Sequence, residues 1–410
     1  MITLNKKVFI MLVFAILLFV FFLDAEARTL NFQPLPGGPS ARKGNTVIYD
    51  SEHNQAVFFG GQGTDSYPND LWKLNLSDLS WSLVPTSGDI PLSRQGHTAI
   101  YDPVNKRMLI FAGTNPNYVF NDLYSLDLNT NIWTQLSPGG ILPSPRWNHT
   151  AIYNPADSSM VIFGGRQLYQ GLEANGGSDT TSLNNAGISN TLMKGQVQLP
   201  WFNDLWKLDL KTLTWSQLTP LSELPAAREF HSATYVPVGN SMVVYAGYAD
   251  GLDYGDLWKY DFATNIWSQI VPSGEQPMSR EAHSAFYDDS KNCILIFGGN
   301  SHSLRYFGDI WEFDLNRLSW KNISPYLGRS SPAAIYDPQR QGLIIDGGFA
   351  LNAYYDPYYF GDGYLITSSS GAPFSYGDAN CDGQVTVTDV VYTINFLFKG
   401  GPTPCSVSEK

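Results

Sequence analysis

The stretch NDLWKLNLSDLSW, residues 69–81, is the first of five similar copies along this 410-residue chain. The others are NDLYSLDLNTNIW (121–133), NDLWKLDLKTLTW (203–215), GDLWKYDFATNIW (255–267) and GDIWEFDLNRLSW (308–320). In every copy two aromatic residues stand nine positions apart. Self-similarity at a period of about 50 residues predicts a repeat architecture, in which each copy is one structural unit.

Two further elements recur upstream of these copies in the same register. Apolar runs such as MVIFGG end at a Gly-Gly or Ala-Gly pair, at positions 60–61, 112–113, 164–165, 246–247, 298–299 and 347–348. Before them, an R-x-x-H pattern opens four units, at 94–97, 146–149, 228–231 and 280–283. Short alternating apolar runs bounded by Gly, Pro, Asn and Asp are typical of β-strands. Each unit is therefore predicted to contain four short strands.

The combined pattern resembles the kelch repeat of galactose oxidase-like proteins, in which each unit forms one four-stranded blade of a β-propeller. The resemblance covers residues 29 to about 367 and six units. It implies an all-β, six-bladed propeller over residues 28–367. The sixth unit lacks the second tryptophan, and the apolar stretch LNFQPL (30–35) precedes the first unit. We therefore expect an N-terminal strand to complete blade six and close the ring, which leaves only short, protected sheet edges.

The N-terminus has the features of an export signal. Lys6 and Lys7 precede sixteen uninterrupted apolar residues (8–23), and Ala-Glu-Ala follows at 25–27. This predicts a secretory signal over residues 1–27 with cleavage after Ala27, the alternative being an uncleaved anchor. The expected protein is secreted, with no membrane span in the mature chain. Its formal net charge of -12 argues against a nucleic-acid partner.

The C-terminal stretch GDANCDGQVTVTD, residues 377–389, matches a twelve-position calcium loop, with Gly383 at the sharp turn. An amphipathic stretch at 387–398 predicts one helix after it. A calcium loop with one following helix resembles a dockerin type I repeat, and the resemblance covers residues 377–404. The predicted C-terminal domain is 374–410, after a Ser/Gly/Pro linker at 368–373. The predicted Ca²⁺ ligands are Asp378, Asn380, Asp382, Gln384 through its carbonyl, Thr386 and Asp389.

The dockerin resemblance implies a cohesin-like scaffold as partner. Dockerins normally carry two such repeats and this chain has one, so two alternatives stay open: the segment docks to a partner, or it packs on its own propeller. Of the three cysteines, Cys381 and Cys405 flank the loop and helix and could form a disulfide in an oxidising compartment. Cys293 lies in the apolar run CILIF and is expected to be a buried thiol.

Features shared by all units indicate architecture rather than binding. The four histidines recur with the units and have no zinc-ligand spacing, which predicts a structural role. Each unit opens with an arginine and carries an aspartate before its third strand. Because six aspartates match the six arginines, we expect each arginine to pair with an aspartate within the fold. The alternative is that the arginines form a cationic ring for an anionic ligand. The two sets are Arg42, Arg94, Arg146, Arg228, Arg280 and Arg329, and Asp70, Asp122, Asp204, Asp256, Asp309 and Asp362.

Binding is expected where one unit departs from the others. Blade three has an insertion of about thirty residues, roughly 167–199, and blade six has the aromatic loop LNAYYDPYYFGDG, 351–363. In blade six, Asp346 also stands where the other units have Phe or Tyr, and a carboxylate at such a position is costly unless it is bonded or functional. The predicted ligand-binding residues are Tyr354, Tyr355, Tyr358, Tyr359, Asp346 and Trp201.

No nucleophile elbow, metal pair or zinc spacing indicates an enzyme, and no catalytic residue is predicted. Galactose oxidase-like enzymes use copper with a cysteine-linked tyrosine, whereas the only cysteine of this propeller lies in an apolar strand. We expect a secreted binding or scaffolding protein for a protein or glycan partner. The alternative is a component of a polysaccharide-degrading system that hydrolyses O-glycosyl bonds, with Asp346 and Asp356 or Asp362 as an acid/base pair.

Overall fold

The computed structural model describes residues 30–167, 201–303, 305–324, 329–340, 342–351 and 357–368. These residues form 28 β-strands, and none of them is helical. Accordingly, no helix within the described ranges is long and apolar enough to cross a membrane. The predicted signal segment, almost all of the blade-three insertion, and the C-terminal calcium repeat with Cys381 and Cys405 lie outside the described residues.

The strands form six sheets of four or five strands, one for each repeat, and one separate two-stranded sheet. The six larger sheets confirm the predicted six-bladed propeller. The first strand, β1 (Leu30–Pro34), belongs to the last blade. Blade one is β2 (Thr46–Asp50), β3 (Gln55–Phe59), β4 (Leu71–Asn75) and β5 (Trp81–Val84), followed by the short β6 (Ser87–Gly88). Blade two is β7 (Thr98–Asp102), β8 (Arg107–Thr114), β9 (Val119–Asp127) and β10 (Ile132–Leu136), followed by β11 (Gly139–Gly140).

The remaining blades repeat this order. Blade three is β12 (Thr150–Asn154), β13 (Ser159–Phe163), β14 (Leu205–Asp209) and β15 (Thr214–Leu218). Blade four is β16 (Ser232–Val236), β17 (Ser241–Ala249), β18 (Leu252–Asp261) and β19 (Ile266–Ile270). Blade five is β20 (Ser284–Asp288), β21 (Cys293–Phe297), β22 (Ile310–Asp314) and β23 (Ser319–Ser324). Blade six contains β24 (Ala333–Asp337), β25 (Gly342–Asp346) and β28 (Gly363–Ser368), and its loop forms a hairpin of β26 (Phe349–Leu351) and β27 (Pro357–Tyr359).

The N-terminal strand closes the ring as predicted. The strand order of blade six is β1-β28-β25-β24, so β1 takes the outer place that the fourth strand has in other blades. Just after β1, the Leu35 N–H donates to the Gly363 carbonyl at 2.9 Å. The Leu35 side chain is buried in an apolar cluster with Ala333, Ile344 and Leu365. Closure therefore rests on both backbone pairing and apolar burial.

The hydrophobic core lies between blades rather than within them. One cluster joins Phe111 of blade two to Trp215 of blade three, and their ring centroids are 5.0 Å apart. Another joins Phe59 of blade one to Trp133 of blade two, at 4.9 Å. Each strand contributes alternate side chains to the two flanking layers, because side chains alternate across a sheet. Cys293 belongs to β21 and is a buried thiol, as predicted.

The recurring arginines and aspartates pair within the fold, which confirms the structural interpretation. Arg228 is fully buried and donates two hydrogen bonds to Asp256, at 2.6 and 2.8 Å. It also donates to the Ala246 carbonyl at 2.9 Å, and its guanidinium lies 4.4 Å from the centre of the Tyr254 ring. The same ion pair occurs in every blade: Arg42–Asp70, Arg94–Asp122, Arg146–Asp204, Arg280–Asp309 and Arg329–Asp362.

The recurring histidines join neighbouring blades. His149 of blade three places its Nε2 2.9 Å from the Thr98 hydroxyl of blade two. Its ring also meets Phe111 of blade two edge-on, with centroids 5.6 Å apart. Burial lowers the pKa of His149 well below its usual value, so the ring is neutral. The same bond joins Thr46 to His97, Thr150 to His231 and Ser232 to His283. These histidines are architectural, as the sequence predicts.

A closed cycle of backbone hydrogen bonds passes through all six blades. It uses the residue two positions after each recurring arginine, and each of these residues has a left-handed φ between 50° and 63°. Each N–H donates to the equivalent carbonyl of the preceding blade, at distances from 2.7 to 3.4 Å. The members of the cycle are Gly44, Gly96, Asn148, Phe230, Ala282 and Ser331. This cycle holds the positions next to it in a fixed arrangement around the propeller axis.

Candidate ligand-binding face

The residues that directly precede this backbone cycle vary around the ring, with five residue types at six positions. Each forms an antiparallel bridge with the residue that follows the glycine pair of the same blade. We call these twelve residues the rim. The rim pairs are Lys43 with Gln62, Gln95 with Thr114, Trp147 with Arg166, Glu229 with Tyr248, Glu281 with Asn300, and Ser330 with Phe349. The scaffold thus repeats while the side chains that it presents at the rim do not.

Blades three and four join at a buried ion pair in the rim. Arg166 lies 3.0 Å from the Glu229 carboxylate and stacks over the Trp147 ring at 4.4 Å. Glu229 is fully buried and also accepts hydrogen bonds from the Trp201 indole at 3.0 Å and the Asn148 amide at 2.9 Å. Burial raises the pKa of Glu229, and the positive charge of Arg166 opposes that rise. Three side chains of blade three therefore converge on one carboxylate of blade four.

A second carboxyl group lies next to this ion pair, in blade five. Glu281 accepts a hydrogen bond from the Asn300 amide at 2.9 Å. Burial, together with the negative charges of Glu229 and Asp253, raises the pKa of Glu281 to about 8. Glu281 is therefore mainly protonated at neutral pH and can donate a hydrogen bond. One Asp253 oxygen accepts from the His302 backbone N–H at 2.8 Å, and the other is buried without a partner among the described residues.

Aromatic side chains flank these carboxyl groups. Tyr248 stacks on His302, with ring centroids 5.1 Å apart and an interplanar angle of 19°. Trp201 meets Tyr248 edge-on at 6.3 Å. We call the resulting group in blades three to five the rim cluster; it consists of Trp147, Arg166, Trp201, Glu229, Tyr248, Asp253, Glu281, Asn300 and His302. It combines charged groups, hydrogen-bonding groups and rings on one face of the propeller.

A different environment surrounds the rim at blades six and one. The Lys43 ammonium lies 4.3 Å from the centre of the Phe349 ring and 5.7 Å from that of Tyr359. Tyr306 meets Phe349 edge-on at 6.0 Å. Burial lowers the pKa of Lys43 to about 8, and no carboxylate in the described part of the chain pairs with it. The rim is thus cationic and aromatic here and acidic in blades four and five.

The family model of the KLHDC2/KLHL20/DRC7 Kelch-repeats domain matches residues 44–194 and 193–337. The chain belongs to the kelch-repeat family. Kelch domain-containing protein 3 of Bos taurus is 27% identical over 314 residues, which are 71% of this chain and 72% of that protein. Kelch domain-containing protein 10 of Rattus norvegicus is 25% identical over 287 residues, 66% of this chain and 61% of that protein.

Among solved structures, that of YjhT matches this kelch propeller with a TM-score of 0.60. It is 19% identical and covers 82% of this chain and 98% of that chain, which supports the fold alone. Kelch propellers generally bind protein partners, so the fold of this chain suggests protein binding.

The sequence-predicted site residues of this kelch propeller fall in different places. Trp201 belongs to the rim cluster, and Tyr359 lies in the aromatic group around Lys43. Asp346 is 2% exposed and lies inside blade six. The Asp362 carboxylate is bonded to Arg329. Tyr358 is described only as part of β27, and the structure does not describe Tyr354, Tyr355, Asp356 or the six predicted calcium ligands.

Sequence reasoning missed most of the rim cluster of this kelch propeller. Glu229 and Glu281 occupy the first variable position of the R-x-x-H pattern. The pattern is defined by its arginine and histidine, so it gives no information about that position. The available signal was the residue after the arginine, which reads Lys, Gln, Trp, Glu, Glu and Ser from unit one to unit six. A comparison of the six units at that one position would have identified the rim.

Proposed function

We propose that this kelch propeller is a secreted binding protein that captures a protein partner on its rim cluster. The observation that carries the proposal is the convergence of Arg166, Glu229 and Glu281 at positions where the scaffold itself requires no charge. Holding carboxyl groups in a buried environment costs folding free energy. Groups with perturbed pKa values that lie together are therefore candidates for function rather than for stability.

The composition of the rim cluster suits recognition of a folded protein or an extended peptide. Trp147, Trp201 and Tyr248 are of the residue types that dominate binding energy at protein interfaces. The indole of Trp201 is held by its bond to Glu229, so part of the binding surface is ordered before a partner arrives. The buried charges favour a partner with a complementary arrangement of charge and hydrogen-bonding groups.

Peptides selected from a displayed random library against residues 28–410 test this proposal. Replacement of Trp201 by alanine is expected to weaken the selected peptides at least about tenfold, because an aromatic anchor and its bond to Glu229 are lost. Gln95→Ala, at the rim of blade two, is the matched control and should bind as the wild type does. Equal affinity for the two variants would place the binding surface elsewhere.

The C-terminal repeat extends the proposal to calcium-dependent docking. Asp378, Asp382 and the other predicted ligands would order the segment around one Ca²⁺ and present its helix to a cohesin-like scaffold. Calorimetric titration of residues 28–410 with Ca²⁺ should show one site. Asp382→Ala is expected to weaken it at least about tenfold, because a hard cation loses a charged oxygen ligand. Asp65→Ala, in an exposed loop, serves as control; a wild-type chain that binds no Ca²⁺ would contradict this part.

One observation favours a second function, hydrolysis of O-glycosyl bonds within a polysaccharide-degrading system. Glu281 and Glu229 are carboxyl groups in different states, the first mainly protonated and the second ion-paired, as an acid/base pair requires. Release of reducing ends from a glycan panel measures this activity. A rate that falls as pH rises through about 8, and that is lost in Glu281→Gln, is expected, because the acid must be protonated. Absence of turnover on every glycan would exclude it in favour of binding.

A further inference from the structure

Four of the joins between blades use the same three side chains. In blade two, Thr98 and Phe111 are cross-strand partners, and His149 of blade three contacts both. The equivalent side chains make the same contacts at the joins between blades one and two, three and four, and four and five. We call this group the joining unit. At these four joins it links one blade to the next by one hydrogen bond and one edge-on ring contact.

At the join between blade six and blade one, all three members of the joining unit differ. Asp346 replaces the aromatic residue and Ala333 replaces the hydroxyl residue, and the two are cross-strand partners in the same register. Asn45 of blade one takes the place of the histidine. The backbone is unchanged, because the Gly348 N–H donates to the Arg42 carbonyl at 2.8 Å as its equivalents do at the other joins. Only the side chains differ.

These replacements leave polar groups without partners in a buried place. Asn45 is 8% exposed, and among the residues that the structure describes neither its amide nitrogen nor its amide oxygen has a hydrogen-bond partner. Ala333 has no hydroxyl to offer it. A buried amide group without hydrogen-bond partners destabilises the folded chain, because it has lost its bonds to water. Asp346, at the position next to it by the geometry of the other joins, is 2% exposed and carries an ionisable group where the other blades have a ring.

Charged groups around Asp346 come from both blades. Arg42 and Arg329 favour its ionised form, and Asp362 opposes it. Both arginines are already bonded to carboxylates, Arg42 to Asp70 and Arg329 to Asp362. Burial therefore has the largest influence and raises the pKa of Asp346 to about 7. The group changes charge within the range that an exported protein meets.

We propose that Asp346 and Asn45 form a proton-dependent latch across the join between the first and last blades. A protonated carboxyl group can donate to the amide oxygen and accept from the amide nitrogen, so it satisfies both atoms of Asn45. A carboxylate has no proton to donate and leaves the amide oxygen unpaired. Loss of one proton thus removes a bond and buries a charge at this join alone. The latch is independent of what the rim binds.

The sign of the pH dependence follows from the raised pKa. The folded chain holds the Asp346 proton more tightly than the unfolded chain, whose aspartates titrate near 3.8. The contribution of Asp346 to the free energy of unfolding is greatest below about pH 4 and decreases as pH rises towards about 7. Above that pH it stays constant. The unfolding equilibrium of the wild type, relative to that of Asp346→Asn, should shift about tenfold per pH unit in this range. Glu229 and Glu281 titrate in both proteins, so the comparison isolates Asp346.

Amide exchange locates the effect. Protection of the Gly348 N–H is expected to fall between about pH 4 and pH 7 in the wild type and to stay constant in Asp346→Asn. Protection of the Gly113 N–H, which makes the equivalent bond to Arg146 at 2.9 Å, is the internal control and should not change. An equal loss of protection at both amides would overturn the proposal, because the whole propeller would then be destabilised and not this join.

A double-mutant cycle between Asn45→Ala and Asp346→Ala tests the pairing itself. Coupling of about fivefold to tenfold in the unfolding equilibrium is expected at about pH 5, and none at about pH 8.5. Asp346→Phe combined with Ala333→Thr and Asn45→His rebuilds the joining unit of the other blades and should abolish the pH dependence specific to this join. Absence of coupling at the lower pH, or equal coupling at both, would overturn the proposal.

Discussion

Replacement of Arg228 by methionine is expected to lower the free energy of unfolding by about 3–5 kcal/mol. Arg228 is fully buried and makes two bonds to Asp256 and one to the Ala246 carbonyl. Removal of the guanidinium leaves the Asp256 carboxylate with the Trp258 indole as its side-chain donor. The Ala246 and Ala226 carbonyls also lose the donor that Arg228 supplies. Methionine keeps much of the aliphatic volume, so the loss reports mainly on the missing charge and hydrogen bonds.

An exposed ion pair of the same propeller provides the control. Arg317 pairs with Asp314 at 2.7 Å, but its side chain is 81% exposed. Arg317→Met is expected to change stability by at most about 1 kcal/mol, because exposed pairs gain little from their Coulomb energy. The double variant Arg228→Met with Asp256→Leu should recover part of the loss, since it removes the unpaired carboxylate as well. Urea unfolding measures all three, and similar losses in Arg228→Met and Arg317→Met would refute the argument.

The pH dependence of this pair has the opposite sign to that of the latch. Burial tends to raise the pKa of Asp256, but the hydrogen bonds and charge of Arg228 outweigh it and hold the pKa below its usual value. The contribution of the pair is therefore present above the unfolded pKa, near 3.8, and lost as pH falls below it. Arg228→Met should accordingly differ least from the wild type in strong acid.

A chain that begins at residue 38 is expected to be at least about 5 kcal/mol less stable than residues 28–410, or to aggregate. It lacks β1, so blade six ends at β28 with an unpaired edge, and unpaired edges promote association between chains. It also lacks Leu35, which fills the cluster with Ala333 and Ile344. Urea unfolding and gel filtration measure the two effects.

Two point variants separate burial from backbone pairing. Leu35→Ala is expected to cost about 3 kcal/mol, because it removes buried apolar volume while β1 stays in place. Leu83→Ala, in the outer strand of blade one, is the control, because its side chain is 57% exposed and its loss should cost about 0.5 kcal/mol or less. A peptide of residues 28–37 added to the truncated chain should restore part of the stability by pairing with β28. A truncated chain as stable as the full one would show that closure does not need β1.

The strands of each blade and the closure of the ring could be predicted from the sequence. The five copies with two aromatics nine residues apart predict the outer strands, and the missing tryptophan of unit six predicts that another segment completes that blade. The short strands β6 and β11 were not predicted. They pair in parallel with the outer strand of the next blade, at Ile132 and Thr214 respectively. A contact between two repeats produces no pattern in the sequence of either repeat alone.

The rim cluster could not be predicted from the sequence, because its contacts also join residues of different repeats. Arg166 lies in unit three and Glu229 in unit four, and only the ring arrangement brings them to 3.0 Å. The pKa of Glu281 depends on burial and on charges supplied by Glu229 and Asp253, which no pattern of neighbouring residues expresses. The sequence shows Asp346 at a position where the other units have an aromatic residue, but it does not show that Arg42 and Arg329 act on its charge.

The sequence by itself determined the blade, because strand periodicity, the glycine pairs and the Arg–Asp pairing recur within each unit and act over short distances. It also determined the number of blades, since six units close a ring only when the first strand joins the last. The tertiary structure alone decided which side chains meet across blades. Those contacts set which groups lose water and which charges they face, and these two quantities control the pKa values of Asp346 and Glu281.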